Sequence, residues 1–386
     1  MKKGMKIAEI LIIFCILSAP VLLLSVMPKQ VYPINENRVM KEFPVNWKAM
    51  FTENGEYWKE LSACFNDRFQ FRDFMIRAKG EIQYRLFNVT GEDGVYVGDD
   101  GYMYYKSVVD RDQIINEQLS DEDVNGIVQA YEDFKAYINA FGVECLFMIP
   151  PQKNTVFPER APVFHVERKY PNQYEKLIQK FSASRVSDDF VDVVPLLRKA
   201  EEKYPTYYKT DFHWNEYGVT AAFTEAVNRL AKREQIENQI FDENMYDIYY
   251  DPYPWGERGG GGQLDNLPLL EKIQEDCALC VNKKTDITVY VDVEQSVEGQ
   301  TMHYVNTNAQ APLGTVLFVG DSYTQFLLNS NSGILDLFKE VWFVHVNYAD
   351  GVVNRYIQQV DYMIVERIES NMASLRELLK SSLRDS

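Results

Sequence analysis

The sequence predicts an α/β fold: a mostly parallel sheet flanked by helices, with a small inserted irregular and β segment and an N-terminal transmembrane helix. Three observations lead there. Short apolar runs bounded by turn residues alternate with segments of helical spacing, the pattern of a parallel sheet covered on both faces. Between about residues 240 and 310 that alternation gives way to clustered aromatics and glycines. At the start of the chain, Lys2, Lys3 and Lys6 precede a nearly unbroken apolar run from Ile10 to Met27.

That run is just long enough for a membrane span, which needs about 18 apolar residues, and the lysines favour leaving its N-terminus in the cytoplasm. No small-x-small site follows it before Pro28, so residues 1–28 are expected to be an uncleaved signal anchor, with a cleaved signal peptide as the competing reading. The remainder would then be extracytoplasmic, on a single-pass protein of the cell membrane. Residues 29–85 read as a juxtamembrane linker followed by a helical region, where apolar residues from Tyr57 to Phe87 suggest one or two amphipathic helices.

Residues 86–386 form the main domain. Gly94 to Tyr104 reads as a β-hairpin turning at Asp100-Gly101, and Ser120 to Phe141 as a helix with an acidic face. Val143–Ile149 is a buried-strand candidate stopped by Pro150-Pro151, and Phe190–Val194 a second, with a helix at Tyr174–Phe181 between them. Trp214–Arg233 has the best helical pattern. A possible hairpin at Ile287–Val293 precedes three more strands, Val316–Val319, Val341–Val346 and Tyr362–Val365.

A chain of 386 residues, 46% hydrophobic and 13% aromatic, can bury a sizeable core. Its formal net charge of -17 disfavours a nucleic-acid partner, which requires basic patches. Cys277-Ala-Leu-Cys280 has redox or metal spacing, but it lacks a second pair or a nearby histidine; a structural disulfide or plain burial is expected, and no metal or cofactor.

The chemistry is expected around Val316-Leu-Phe-Val-Gly-Asp-Ser322. A strand that turns at a glycine and delivers a serine to a helix N-terminus is a rigid mount for a nucleophile, and the helix's first N–H groups can hold an anion. The serine needs a base. Of the four histidines, His213 stands in Asp211-Phe-His-Trp, directly before the strong helix. In extended chain, alternate residues point the same way, so Asp211 can reach the imidazole Nδ1, fix its tautomer and leave Nε2 for a serine. Alone, Asp-x-His would more simply be a helix cap with a packed histidine; the separate serine motif favours the catalytic reading.

Gly320-Asp-Ser322 resembles the nucleophile block of SGNH hydrolases. With Asp211-x-His-Trp preceding it, the order is similar to SGNH hydrolase-like proteins of the alginate O-acetyltransferase type and to the DHHW family of bacterial surface proteins. The four-residue signature reads Asp211-Phe-His-Trp here and departs at its second position. Further resemblances are Glu36-Asn-Arg with Phe43-Pro44, Phe65-Asn-Asp-Arg-Phe-Gln-Phe-Arg72, Val95-Tyr-Val-Gly-Asp-Asp-Gly101 and Ile149-Pro-Pro-Gln-Lys-Asn-Thr-Val-Phe-Pro158. The resemblance implies Ser322 as nucleophile, His213 as general base and acid, and Asp211 as orienting carboxylate, with Asp321 bracing the turn. It implies O-acetyl transfer to a cell-surface or secreted polysaccharide, beside a membrane-bound O-acyltransferase partner. The alternatives are a carbohydrate acetyl-esterase and a non-catalytic glycan-binding or secretion-complex scaffold. Asn347, Arg258 and Arg355 are candidate oxyanion or substrate contacts, and Tyr253 and Trp255 candidate sugar-facing aromatics.

Overall fold

In the computed structural model the described residues are 41–42, 51, 55–68, 72–89, 94–115, 119–162, 171–236, 240–251, 254, 269, 273, 275–284, 290–295, 300–307 and 310–384. The expected anchor lies outside them; among the described residues no helix is long and apolar enough to cross a membrane. The chain divides into two units, residues 1–92 with 266–272, and residues 93–265 with 273–386. In the first, the periodic stretch from Tyr57 forms two helices, α1 (Glu56–Arg68) and α2 (Arg72–Phe87).

The second unit opens with a hairpin of β1 (Val95–Val97) and β2 (Met103–Tyr105). Its reversal uses Asp100 and Gly101, both at positive φ (55° and 78°), which is what an Asp-Gly pair tolerates. Then follow β3 (Glu144–Met148), β4 (Phe190–Val191), β5 (Tyr246–Tyr250), β6 (Leu279–Lys283), β7 (Tyr290–Gln295), β8 (Thr301–Asn306), β9 (Leu313–Gly320), β10 (Phe338–His345) and β11 (Tyr362–Glu366). Seven of these make one sheet in the order β4-β3-β11-β9-β10-β8-β7, while β5 and β6 pair separately. From β4 to β10 every pairing is parallel; β8 and β7 add an antiparallel edge.

The parallel strands are buried on both sides because their side chains alternate between two cores. Leu146, Met148, Val316, Phe318 and Ile364 pack on one face with Phe223 and Leu230 of α7 (Glu216–Arg233). Cys145, Phe147, Leu317, Val319 and Val365 pack on the other with Tyr131 and Phe134 of α3 (Asp121–Asn139), Phe181 of α5 (Gln173–Ser182) and Leu379 of α10 (Leu375–Ser382). Smaller helices complete the unit: α4 (Lys153–Val156), α6 (Val194–Glu201), α8 (Ser322–Asn329) and α9 (Val352–Tyr356).

Three differences from the sequence expectation have a local cause. The strand expected through Val194 ends at Val191, because the chain enters α6 with Pro195 in its first turn, and proline pre-sets that turn while offering no ladder N–H. The helix expected from Trp214 starts at Glu216: Asn215 caps it, its Oδ1 accepting the Gly218 N–H at 2.9 Å. Of the hairpin expected at Ile287–Val293, residues 287–289 lie outside the described residues; the rest falls in β7, which pairs antiparallel with β8 at the edge of the main sheet. The β8 sequence, Thr-Met-His-Tyr-Val-Asn, is half polar and so makes no apolar run.

Candidate active site

Strand β9 ends at Gly320, and the next residue turns the chain into α8. The turn is tight: a Cβ at Gly320 would lie 2.2 Å from Thr324 Oγ1 and 2.9 Å from Glu366 Oε2, so only glycine fits without displacing both. Asp321 is the N-cap. Its Oδ1 accepts the Tyr323 N–H (3.0 Å) and its Oδ2 the Ile368 N–H (3.0 Å), tying the turn to the end of β11. Glu366, fully buried, accepts the Asp321 N–H (2.9 Å) and the Thr324 hydroxyl (2.7 Å). Burial and the neighbouring Asp321 raise the Glu366 carboxyl well above its usual range, which favours its neutral form. These bonds fix Ser322 as the first residue of α8.

The segment before α7 brings the second half. His213 Nδ1 lies 2.7 Å from Asp211 Oδ1, and the same oxygen accepts the His213 backbone N–H at 2.9 Å. A carboxylate at Nδ1 makes that nitrogen the protonated one, leaving Nε2 as an acceptor; Nε2 lies 2.8 Å from Ser322 Oγ. Asp211 and His213 are 1% and 2% exposed, so the relay is shielded from competing water. The two motifs also lock backbone to side chain: Trp214 Nε1 donates to the Tyr323 carbonyl (3.1 Å) and the Tyr323 hydroxyl to the Phe212 carbonyl (2.8 Å). The imidazole packs against Phe212, Phe326 and Tyr323, with ring centroids at 3.9, 4.7 and 4.9 Å.

Strand register explains where these groups sit. Gly320 pairs with His345 of β10, and Val319 with Val365 of β11, so Ser322, His345 and Arg367 emerge level at the C-terminal edge of the parallel strands. That edge is where open α/β sheets hold ligands. A cleft of about 340 Å³ opens there, lined by Tyr105, Gln152, Phe212, Ser322, His345 and Arg367 among others. Burial, reinforced by Arg367, holds the His345 imidazole below its ordinary range despite Asp321.

The structure thus brings Ser322, His213 and Asp211 together, with Asp321 bracing the turn. Asn347 lines the same cleft, exposed, on the turn after β10. Arg355 does not: it is exposed on α9, its guanidinium directed to the Asp350 carbonyl at 3.5 Å. Among the described residues the cation lining the cleft is Arg367, which the sequence reading passed over; it follows β11 directly, and the strand-end argument that selected Asn347 would have found it. Arg258, Tyr253 and Trp255 lie outside the described residues. Cys277 and Cys280 are free, buried thiols rather than a disulfide, and Tyr102 shares a hydrogen bond with Cys277 Sγ at 3.2 Å.

Beneath the cleft, Glu369 accepts from the Gln152 N–H (2.7 Å) and the Thr155 hydroxyl (2.8 Å). Burial nevertheless outweighs these bonds and pushes its carboxyl up to about 7. The folded state therefore binds more protons than the unfolded chain between the ordinary glutamate value of 4.5 and about 7. Stability from this group is full below that window and is lost as pH rises through it, by about 3 kcal/mol. Urea unfolding at pH 5 and pH 8 should show this fall in wild type and a flatter profile in Glu369→Gln; equal slopes in the two proteins would remove Glu369 as the cause.

A mostly parallel sheet with Ser, His and Asp aligned at its C-terminal edge defines an SGNH hydrolase-like α/β domain. The chain belongs to the family described as SGNH hydrolase-like domain, acetyltransferase AlgX, whose model matches residues 95–330 and so includes all three aligned residues. A relative from Pseudomonas fluorescens, described as a probable alginate O-acetylase AlgJ, is 23% identical over 189 residues, 48% of this chain and 45% of that protein. The match thus spans less than half of the relative's length. Among solved structures, a DHHW family protein from Eubacterium siraeum is similar at 15% identity and a TM-score of 0.52, covering 77% of this chain and 98% of that one. Bacillus cereus PatB1 is similar at 15% identity and a TM-score of 0.51, covering 72% and 96%. Both likenesses concern the fold.

Proposed function

We propose that this protein is a serine-dependent O-acetyltransferase that acts outside the cytoplasm, held to the membrane by its N-terminal segment, on hydroxyl groups of a cell-surface or secreted polysaccharide. The observation that carries the reading is the Ser322–His213–Asp211 relay opening into a cleft. The acetyltransferase family supports the reaction class.

In the proposed cycle His213 Nε2 takes the Ser322 proton as Oγ forms a bond to the acyl carbonyl carbon. Charge moves onto the carbonyl oxygen, for which the Ser322 N–H at the start of α8, the Arg367 guanidinium and the Asn347 amide are candidate donors lining the cleft. The intermediate collapses to acetyl-Ser322, and the leaving alcohol takes the proton from His213. In the second half His213 deprotonates a sugar hydroxyl, which attacks the acetyl carbon; Ser322 leaves and recovers its proton from the imidazolium. Asp211 balances the imidazolium charge in both halves. A membrane-bound O-acyltransferase is the proposed source of acyl groups, by resemblance.

The full-length protein, given an aryl acetate and a panel of oligosaccharides, should accumulate O-acetylated sugar detectable by mass spectrometry. Release of acetate without any acetylated sugar in the panel would leave an esterase. No turnover of the ester at all would leave a non-catalytic scaffold.

A further inference from the structure

The base-bearing loop is fixed by two buried charged side chains whose hydrogen bonds go to the residues just before Asp211. Glu275, 3% exposed, accepts the Lys209 N–H on Oε1 (2.8 Å), and the Thr210 N–H (2.7 Å) and hydroxyl (2.6 Å) on Oε2. From the other side Lys153, 2% exposed, donates Nζ to the Tyr208 carbonyl (2.9 Å) and the Lys209 carbonyl (3.1 Å). Tyr208, Lys209 and Thr210 are the three residues that lead into Asp211. Their peptide groups are therefore held at amides and carbonyls alike. Burying a lysine and a glutamate carries a heavy desolvation cost, and here each charge is spent on backbone rather than on a direct pair. That cost shows on the lysine, which burial brings down to about 7 although Glu275 and Asp211 favour its charged form.

Glu275 comes from the inserted segment, close to β6, while Lys153 begins α4 within the Pro-Pro-Gln-Lys-Asn motif after β3. Cys277 donates its N–H to Glu275 as well (3.2 Å), and the Asn215 side chain, capping α7, donates to the Cys277 carbonyl (2.8 Å). The insertion thus grips the chain on both sides of His213. Both Glu275 oxygens are occupied by these donors, so its adjacency to Asp276 and Cys277 is explained without a metal.

We infer that Glu275 and Lys153 are positioning residues that set the reach of His213 toward Ser322, the inserted segment serving as the outer jaw of this clamp. The inference rests on the proposed role of Ser322, His213 and Asp211. A clamp that sets a reacting distance acts on turnover more than on binding, and a displacement of about 1 Å can cost about a hundredfold in rate. In full-length protein, Lys153→Met and Glu275→Ala should each lower kcat for an aryl acetate about a hundredfold, with KM nearly unchanged. Glu275→Gln keeps the shape and one acceptor oxygen, and should retain more activity than Glu275→Ala.

A purely structural role predicts something else: lower melting temperatures, with wild-type kcat wherever the variants are folded. That result overturns the inference. If Lys153→Met or Glu275→Ala does not fold, Glu275→Gln and Thr210→Val, which removes one bond without altering shape, decide the question by the same split between kcat and KM. Ser322→Ala, run alongside, separates the two levels of argument. Wild-type activity in Ser322→Ala discards the proposed function; loss there, with wild-type kcat in the clamp variants, discards only the clamp.

Discussion

Ser322→Ala should lower turnover of an activated acetate ester roughly 10⁶-fold, the scale set by removing the nucleophile from other serine relays. The protein should stay folded, because Ser322 is half-buried and the turn around it is held by Asp321, Glu366 and Thr324 rather than by its hydroxyl. His213→Ala should cost about as much, and the double variant little more than either single change, since the two groups act in one proton transfer. Mass spectrometry gives an independent readout: a sulfonyl fluoride should modify wild type once, at Ser322, and leave Ser322→Ala unmodified. A wild-type rate in a folded Ser322→Ala protein would falsify the acyl-enzyme reading.

The proposed nucleophile and its proposed base were legible in the sequence because each is a local motif on a recognisable element. Gly320 ends an apolar run, Asp321-Ser322 opens a helix, and Asp211-x-His213 needs only extended geometry over three residues. The parallel core of the sheet was legible for a similar reason: strands buried on both faces read as unbroken apolar runs. Strand β8 was not, because an antiparallel edge alternates polar and apolar residues and leaves no such run. The cleft's arginine was also missed. Arg355 and Arg367 are equivalent as letters; what sets Arg367 apart is its place directly after the β11 strand, which the register of β11 against β9 brings level with Ser322. Glu275 lay further out of reach: its role depends on bonds to residues 65 and 66 positions earlier, which neither composition nor local spacing encodes.

Asp211→Asn should be the second-largest loss, on the order of 10⁴-fold in kcat, the size of the same change in serine protease relays, where it acts through the wrong imidazole tautomer. In this protein it also separates orientation from charge. Asp211 Oδ1 holds two donors, the His213 backbone N–H at 2.9 Å and Nδ1 at 2.7 Å. An asparagine can place its carbonyl oxygen at that point and keep both hydrogen bonds, so the loop and the imidazole should stay in place and the melting temperature should change little. What the variant cannot supply is the negative charge opposite the imidazolium of the proposed cycle. Asp211→Ala removes the charge and the oxygen that accepts both of these hydrogen bonds. It strands two buried donors, each costing about 1–3 kcal/mol, and should therefore lose stability as well as turnover. Similar loss of kcat in both variants, with a lower melting temperature only in Asp211→Ala, assigns Asp211 to charge balance. If Asp211→Asn instead turns over at the wild-type rate, Asp211 does no more than orient the ring, and the imidazolium must be stabilised by another group in the cleft.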